Sequence, residues 1–183
     1  MPSKYKFHNP EGLYFVTLTI IDWVDIFSRE IYRKIMIDSL NYSIINKGLV
    51  LHAWVIMSNH LHLIISAKPN YKLSEILRDM KKFTSKQIIT AIKDNKKESR
   101  KKWMLRIFIH RGLINPNNKK YQVWKQDNHP VDLDTNIKID QRLDYLHNNP
   151  VKAGLVFDAE HYVYSSAIDY AGGSGILPLE LID

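Results

Sequence analysis

Two short stretches carry side chains with chemistry in them. The first is Met57-Ser58-Asn59-His60-Leu61-His62-Leu63-Ile64-Ile65. In an extended strand successive side chains alternate faces, so His60 and His62 point one way while Leu61 and Leu63 point the other. Two imidazoles on one face can share one metal ion; the competing reading places them on the solvent face of a sheet. The second stretch is Leu143-Asp144-Tyr145-Leu146-His147-Asn148-Asn149-Pro150. On a helix Tyr145 and Asn149, at i and i+4, lie one turn apart on the same side. If that side packs near the histidine pair, two imidazole nitrogens, an amide oxygen and a phenolic hydroxyl surround an open metal position. Taken singly, each residue favours a plainer reading, Tyr145 as an amphipathic core tyrosine and Asn149 as a helix end before proline.

The elements that must position these residues are legible in outline. Leu13 to Ile20 is rich in β-branched and aromatic residues and follows the turn signal Asn9-Pro10-Glu11-Gly12, which predicts a buried strand at about 13–21. A helix follows with Ser28 as N-cap, carrying Ile31, Ile35, Ile37, Leu40, Ile44 and Ile45 until Lys47-Gly48 ends it. Leu49–Met57 and His60–Ile65 read as two strands around Ser58-Asn59, a tight antiparallel hairpin or a bulged strand. A second helix starts near Leu73, with Phe83 in its apolar stripe and Arg78, Lys81, Lys82 and Lys86 facing outward. Residues 93–120 read as a basic insertion containing a short helix closed by Arg111-Gly112, Tyr121–Trp124 as a strand, and a third helix runs through Tyr145 and stops at Asn149 ahead of Pro150. The order predicts an α+β fold, a ferredoxin-like antiparallel sheet with helices packed on one face plus a basic helical insertion. The expected organisation is one domain over 1–170 and a short tail, 171–183, joined by the flexible run Ala171-Gly172-Gly173-Ser174-Gly175.

Composition limits what the site can be. The 183 residues contain no cysteine, which excludes disulfides, thiolate zinc sites and a thiol nucleophile together, so any metal must use His, Asn or carboxylates. The 26 Lys and Arg exceed the 19 Asp and Glu, a net charge of +7 and a pI near 9.4, which fits a polyanionic partner. Positive charge collects at Arg78 to Lys82, Lys93 to Lys102 and Lys119-Lys120, while the chain ends are neutral or acidic, which suggests a basic face. The mean hydropathy of −0.29 and the absence of a long apolar run exclude a membrane-spanning helix, and Met1 to Lys6 opens no signal or transit peptide, so the cytoplasm is the expected location. Trp54, Trp103 and Trp124 could stack bases, but each lies in an apolar run and packing is preferred; His129 and His147 read as surface residues.

The combination of Met57-Ser58-Asn59-His60-Leu61-His62, Val123-Trp124, Asp144 to Val156 and the closing Tyr162-Val163-Tyr164-Ser165-Ser166, in that order, resembles the single-tyrosine HUH transposases. It looks closest to the REP-associated tyrosine transposases, related to the smallest insertion-sequence transposases, from about Gly12 to Tyr170. The resemblance implies that His60 and His62 bind a divalent metal, Mg²⁺ or Mn²⁺, that Tyr145 is the nucleophile, and that Asn149 completes the metal site. Ser58 stands where many members have proline, which loosens the hairpin reading without touching the ligands. The implied activity is cleavage and rejoining of single-stranded or hairpin-forming DNA through a 5′-phosphotyrosine intermediate, by a monomer or homodimer. Arg78, Lys81, Lys82, Lys97 and Arg100 are the expected phosphate contacts. Two rivals stand beside it: a non-catalytic single-stranded nucleic-acid binder that uses sheet aromatics and the basic helices and needs neither metal nor Tyr145, and a metal-dependent hydrolytic nuclease in which the His pair activates water.

Overall fold

Strand β1, Tyr14–Thr19, is the spine of the molecule because its alternating side chains serve two cores at once. The computed structural model describes residues 7–117 and 120–182; the expectations on residues 1–6, Lys119 and Asp183 lie outside them. After β1 the chain forms helix α1 (Glu30–Asn46), strands β2 (Leu49–Ile56) and β3 (His60–Ala67), helices α2 (Leu73–Asp94) and α3 (Lys101–Ile114), a two-residue strand β4 (Val131–Asp132), helix α4 (Asn136–Lys152) and the short α5 (Ala167–Tyr170). The sheet is antiparallel throughout, in the order β2-β3-β1-β4, the arrangement of a ferredoxin-like split βαβ fold.

Period-two alternation divides the sheet. Tyr14, Val16 and Leu18 of β1 and Leu61, Leu63 and Ile65 of β3 face one core, filled from outside by Tyr32, Met36 and Leu40 of α1, the apolar stripe of α2, and Met104 and Phe108 of α3. Phe15 and Ile64 face the other, smaller core, closed by Leu146 and its neighbours on α4. Helices therefore cover both faces rather than one. A register shift between Leu51 and Ala53 leaves His52 outside the ladder and reverses the alternation of β2, so Trp54 enters the main core and Val55 the smaller one. The hairpin closes on Ser58-Asn59, with the Met57 amide donating to the His60 carbonyl at 2.8 Å.

Several boundaries differ from the sequence expectation. The first helix begins at Glu30, because Ile26–Ser28 forms a separate 3₁₀ turn in which the Ser28 hydroxyl donates back to the Asp25 carbonyl and caps nothing. It ends as expected, with Gly48 at φ +68 where a side chain would be strained. Phe83 leaves the expected stripe and is exposed, whereas Thr84 beside it is buried as expected and accepts the Trp124 indole N–H at 3.0 Å. Helix α3 runs through Gly112 instead of stopping there, and the glycine serves a close approach: a Cβ at that position would collide with the Lys120 carbonyl. Tyr121–Trp124 forms no strand of its own; two backbone bonds, Ile21 N–H to Val123 and Lys125 N–H to Thr19, only splice it to the end of β1. Helix α4 starts at Asn136 behind the Thr135 cap and carries Pro150 inside its last turn, where the proline is buried and the Ala153 and Leu155 amides still close onto Asn149 and Pro150.

The tail is not a loose joint. The Gly175 amide donates to Asp169, Leu177 is buried, and the Glu180 amide donates to the Leu51 carbonyl on the outer edge of β2. Further along that edge the Ile56 amide donates to the Tyr164 carbonyl, the Ser166 amide to the Trp54 carbonyl, and the Trp54 amide to the Ser166 hydroxyl. The sheet edge that would otherwise be bare is thereby covered.

Candidate active site

Because β3 is in register with β1, Thr17 stands opposite His62 and Thr19 opposite His60. Both imidazoles emerge on the α4 face, their ring centroids 4.7 Å apart. Each has its Nδ1 already engaged: Thr17 Oγ1 lies 2.9 Å from His62 Nδ1, and Asn59 Oδ1 lies 2.7 Å from His60 Nδ1. The Asn59 amide nitrogen donates to the Trp23 carbonyl at 3.3 Å, which fixes its oxygen toward His60. An amide oxygen only accepts, so His60 carries its proton on Nδ1 and presents Nε2 as a lone pair. When His62 Nδ1 donates to Thr17, its Nε2 is likewise a lone pair, and that atom is buried with no hydrogen-bond partner. Burial lowers both histidines, His62 to about 3 with help from the His60 and Arg142 charges, so both are neutral at pH 7.

Two neutral imidazoles with oriented Nδ1 groups and an orphaned Nε2 are a donor set that fits a divalent ion. Among the described residues no cluster of three or more His, Cys, Asp or Glu exists, so a protein-only carboxylate cage is not formed and further donors must come from an amide, water or substrate.

Helix α4 delivers Tyr145 to the same place. Its ring centroid is 5.2 Å from that of His62 and 6.0 Å from that of Phe15, which itself stacks on His62 at 5.1 Å. Phe15 is thus the common wall that sets the spacing of imidazole and phenol. Tyr145 remains 39% exposed, open to a ligand as a core tyrosine would not be. Asn149 lies one turn on, its amide nitrogen donating to the Tyr145 carbonyl at 3.0 Å, which leaves Oδ1 as its accepting atom. Two cations lie near the ring, Arg142 at 6.0 Å and Lys152 at 5.8 Å from its centre.

Residues 15–110, just over half of the chain, match the family described as "Transposase IS200 like". The chain belongs to the IS200-like transposase family. The matched span of this IS200-like transposase contains both histidines and ends before Tyr145, so the phenol's place beside them comes from the fold. The structure is similar to that of a REP-associated tyrosine transposase bound to a REP hairpin, with a TM-score of 0.61 and 16% identity over 93% of this chain and 86% of that one. At that identity the likeness shows the fold. A crystal structure of a candidate transposase from Deinococcus radiodurans R1 aligns with a TM-score of 0.46 and 16% identity over 79% of this chain and 95% of that one. The search of curated proteins returns no match. Among the described residues no helix is long and apolar enough to cross a membrane.

The transposase's basic residues divide into three kinds. Arg78, Lys81 and Lys82 line a groove of about 1010 Å³ between α2 and the segment around 120–128, together with Lys86, Lys93, Lys120 and Lys125. Lys81 does not face outward as expected: its ammonium is held by the Lys125 and Gln126 carbonyls and by Asn128 Oδ1, and burial lowers it to about 8. Arg100 is bound to Asp25 at 2.7 Å and to the buried Glu98 at 3.3 Å, so its charge is already paired. Lys97 is exposed, outside the groove. Trp54 and Trp124 are buried as packing predicts, whereas Trp103 is 40% exposed. His129 is exposed, but His147 is not a surface residue: it is bonded to Ser166 Oγ at 2.9 Å and packed on Tyr170.

Sequence reasoning missed Phe15, Thr17, Asn59 and Arg142. Arg142 was available at i−3 from Tyr145 on the same helical face. Thr17 and Phe15 required the β1–β3 register, which no local pattern carries.

Proposed function

We propose that this transposase cleaves and rejoins single-stranded DNA through a transient 5′-phosphotyrosine bond to Tyr145. The observation that supports it is the packing of the partly exposed Tyr145 ring 5.2 Å from His62 within one chain, with both histidines neutral and their Nδ1 atoms occupied. A divalent ion, Mg²⁺ or Mn²⁺, held by His60, His62 and the Asn149 oxygen would polarise a phosphoryl oxygen and offset the charge that develops on it.

The remaining work belongs to the protein. The Tyr145 hydroxyl loses its proton to solvent, which reaches the exposed side of the ring, and Arg142 and Lys152 stabilise the phenolate. Its oxygen attacks the phosphorus in line; the Tyr145 O–P bond forms, the P–O3′ bond breaks, and the departing O3′ takes up a proton. The fragment that keeps the 5′-phosphate is then joined to the protein and the other fragment of the strand ends in a 3′-hydroxyl. Attack by a 3′-hydroxyl on the phosphotyrosine reverses these changes and reseals DNA. The 5.2 Å spacing of the Tyr145 and His62 rings within a single chain supports a reaction that runs in cis. The partner is single-stranded or hairpin-forming DNA, lying along the α2 groove where Arg78, Lys82 and Lys86 offer phosphate contacts, with Lys97 as an outlying one.

The test is a denaturing gel of the protein with labelled single-stranded DNA and Mn²⁺. Wild type gives a covalent adduct, mapped by mass spectrometry to Tyr145, and Tyr145→Phe gives none while still binding DNA. Released fragments without adduct, persisting in Tyr145→Phe, would instead identify the hydrolytic nuclease; intact DNA bound by wild type would identify a non-catalytic binder.

A further inference from the structure

The residue that the mechanism leaves unused is Trp23. It is 56% exposed, while Trp54 and Trp124 are buried at 0% and 4%. Its indole stands edge-on to His60, centroid to centroid 6.1 Å, and the Lys125 ammonium lies 4.1 Å above the ring. Burying an indole against the main core is favourable and that core is adjacent, so an indole held outward at the rim of the His pair needs a cause.

The cause is visible in the backbone. Asp22 and Trp23 are consecutive non-glycine residues in the left-handed region, at φ +51 and +56, a conformation that L side chains avoid and that persists only where neighbours enforce it. Here three sets of bonds do so. The Arg111 guanidinium of α3 grips both Asp22 carboxylate oxygens at 2.7 Å. The Ile21 amide is fastened to the Val123 carbonyl. The Asn59 carboxamide donates to the Trp23 carbonyl and, through its oxygen, accepts from His60 Nδ1. One side chain therefore fixes both the indole's loop and the imidazole.

We propose that Trp23 is a base-stacking platform for a nucleotide next to the phosphate held at the His pair, with Lys125 neutralising that nucleotide's backbone. An indole offers a flat apolar face to any base, so the contact discriminates base from backbone rather than one sequence from another. The cation already attracted to the ring places positive charge beside the same nucleotide. This rests on the reading of the site as one that acts on single-stranded DNA.

The experiment uses the full chain and two labelled 12-mers of equal charge, oligo-dT and a wholly abasic strand, with binding followed by anisotropy at fixed salt. Wild type binds oligo-dT more tightly than the abasic strand. Trp23→Ala weakens oligo-dT binding on the order of 10-fold, the loss expected for one stacked base, leaves abasic binding unchanged and keeps the wild-type melting temperature; Trp23→Phe recovers part of the loss. Equal binding of both strands by wild type, or a Trp23→Ala variant that changes both strands alike or neither, overturns the proposal. Failure of the phosphotyrosine reading is distinguishable, because it shows as an absent adduct while the Trp23-dependent preference for bases persists.

Discussion

At the scale of single residues, the histidines show what a sequence can and cannot disclose. The spacing of His60 and His62 follows from the two-residue period of a strand and was legible at once, as was the one-turn spacing of Tyr145 and Asn149. What orients the imidazoles was not, because Thr17 is 45 positions away and meets His62 only through strand register. Thr17→Val keeps the shape and removes the oxygen, so Mn²⁺ affinity measured by titration calorimetry is expected to fall about 10–100-fold with the fold intact; unchanged affinity would show that the threonine does not orient the ligand. A second expectation concerns protons. Burial lowers His147 to about 4 and His62 to about 3, below the 6.5 of an unfolded histidine. As pH falls below 6.5 the unfolded chain takes up protons that the folded one refuses, so stability present at pH 7 is lost down to about pH 4, by about 1.4 kcal/mol per pH unit for each such histidine. Urea unfolding of the metal-free protein at pH 7, 6 and 5 reads this slope, and His147→Gln should make it shallower.

At the scale of elements, helices with a strong apolar stripe were readable and the joints between them were not. Helix α2 appears nearly as its periodicity predicts, whereas Ser28, Gly112 and Pro150, read as a cap and two stops, each yield to tertiary neighbours. The segment 93–120 read as a basic insertion with a short helix of its own, yet Met104 and Phe108 of that helix lie in the main core and Glu98 is a buried carboxylate bonded by Tyr32 and Arg100. The run Trp103 to Ile109 is apolar at every position but Arg106, so its pattern does not single out Met104 and Phe108 as the side that enters the core. The run Tyr162 to Ser166 was visible as a motif, and its physical role is to pair the β2 edge. Ser166→Ala removes the acceptor of the buried Trp54 amide and the partner of His147, which should cost about 1–3 kcal/mol in denaturant unfolding. Unchanged stability would mean that water replaces the hydroxyl at that edge.

At the scale of the whole molecule, the net charge of +7 is not spread evenly: the groove beside α2 gathers Arg78, Lys82, Lys86, Lys93 and Lys125, while Arg100 and Arg111 are consumed by internal carboxylates. Counting basic residues along the sequence could not separate the two groups, since pairing with Asp22 and Asp25 spans 75 positions or more. Binding to a single strand should therefore weaken with salt at a log–log slope of about −0.7 for each phosphate contact. Lys82→Ala should make that slope shallower by about one contact, and Arg100→Ala should leave it unchanged while lowering the melting temperature. A slope that responds to Arg100 and not to Lys82 would move the DNA path away from the groove.

The covering of the β2 edge by residues 164–182 also has a bearing on synthesis. The strand leaves the ribosome early, but the chain that pairs its outer amides and carbonyls is made more than a hundred residues later. At elongation rates of about 5–20 residues per second, β2 waits roughly 5–20 s with one side of its backbone unpaired. During that interval the nascent sheet is open to strand addition from any neighbouring chain, a hazard that ends only when residues 164–182 close the edge.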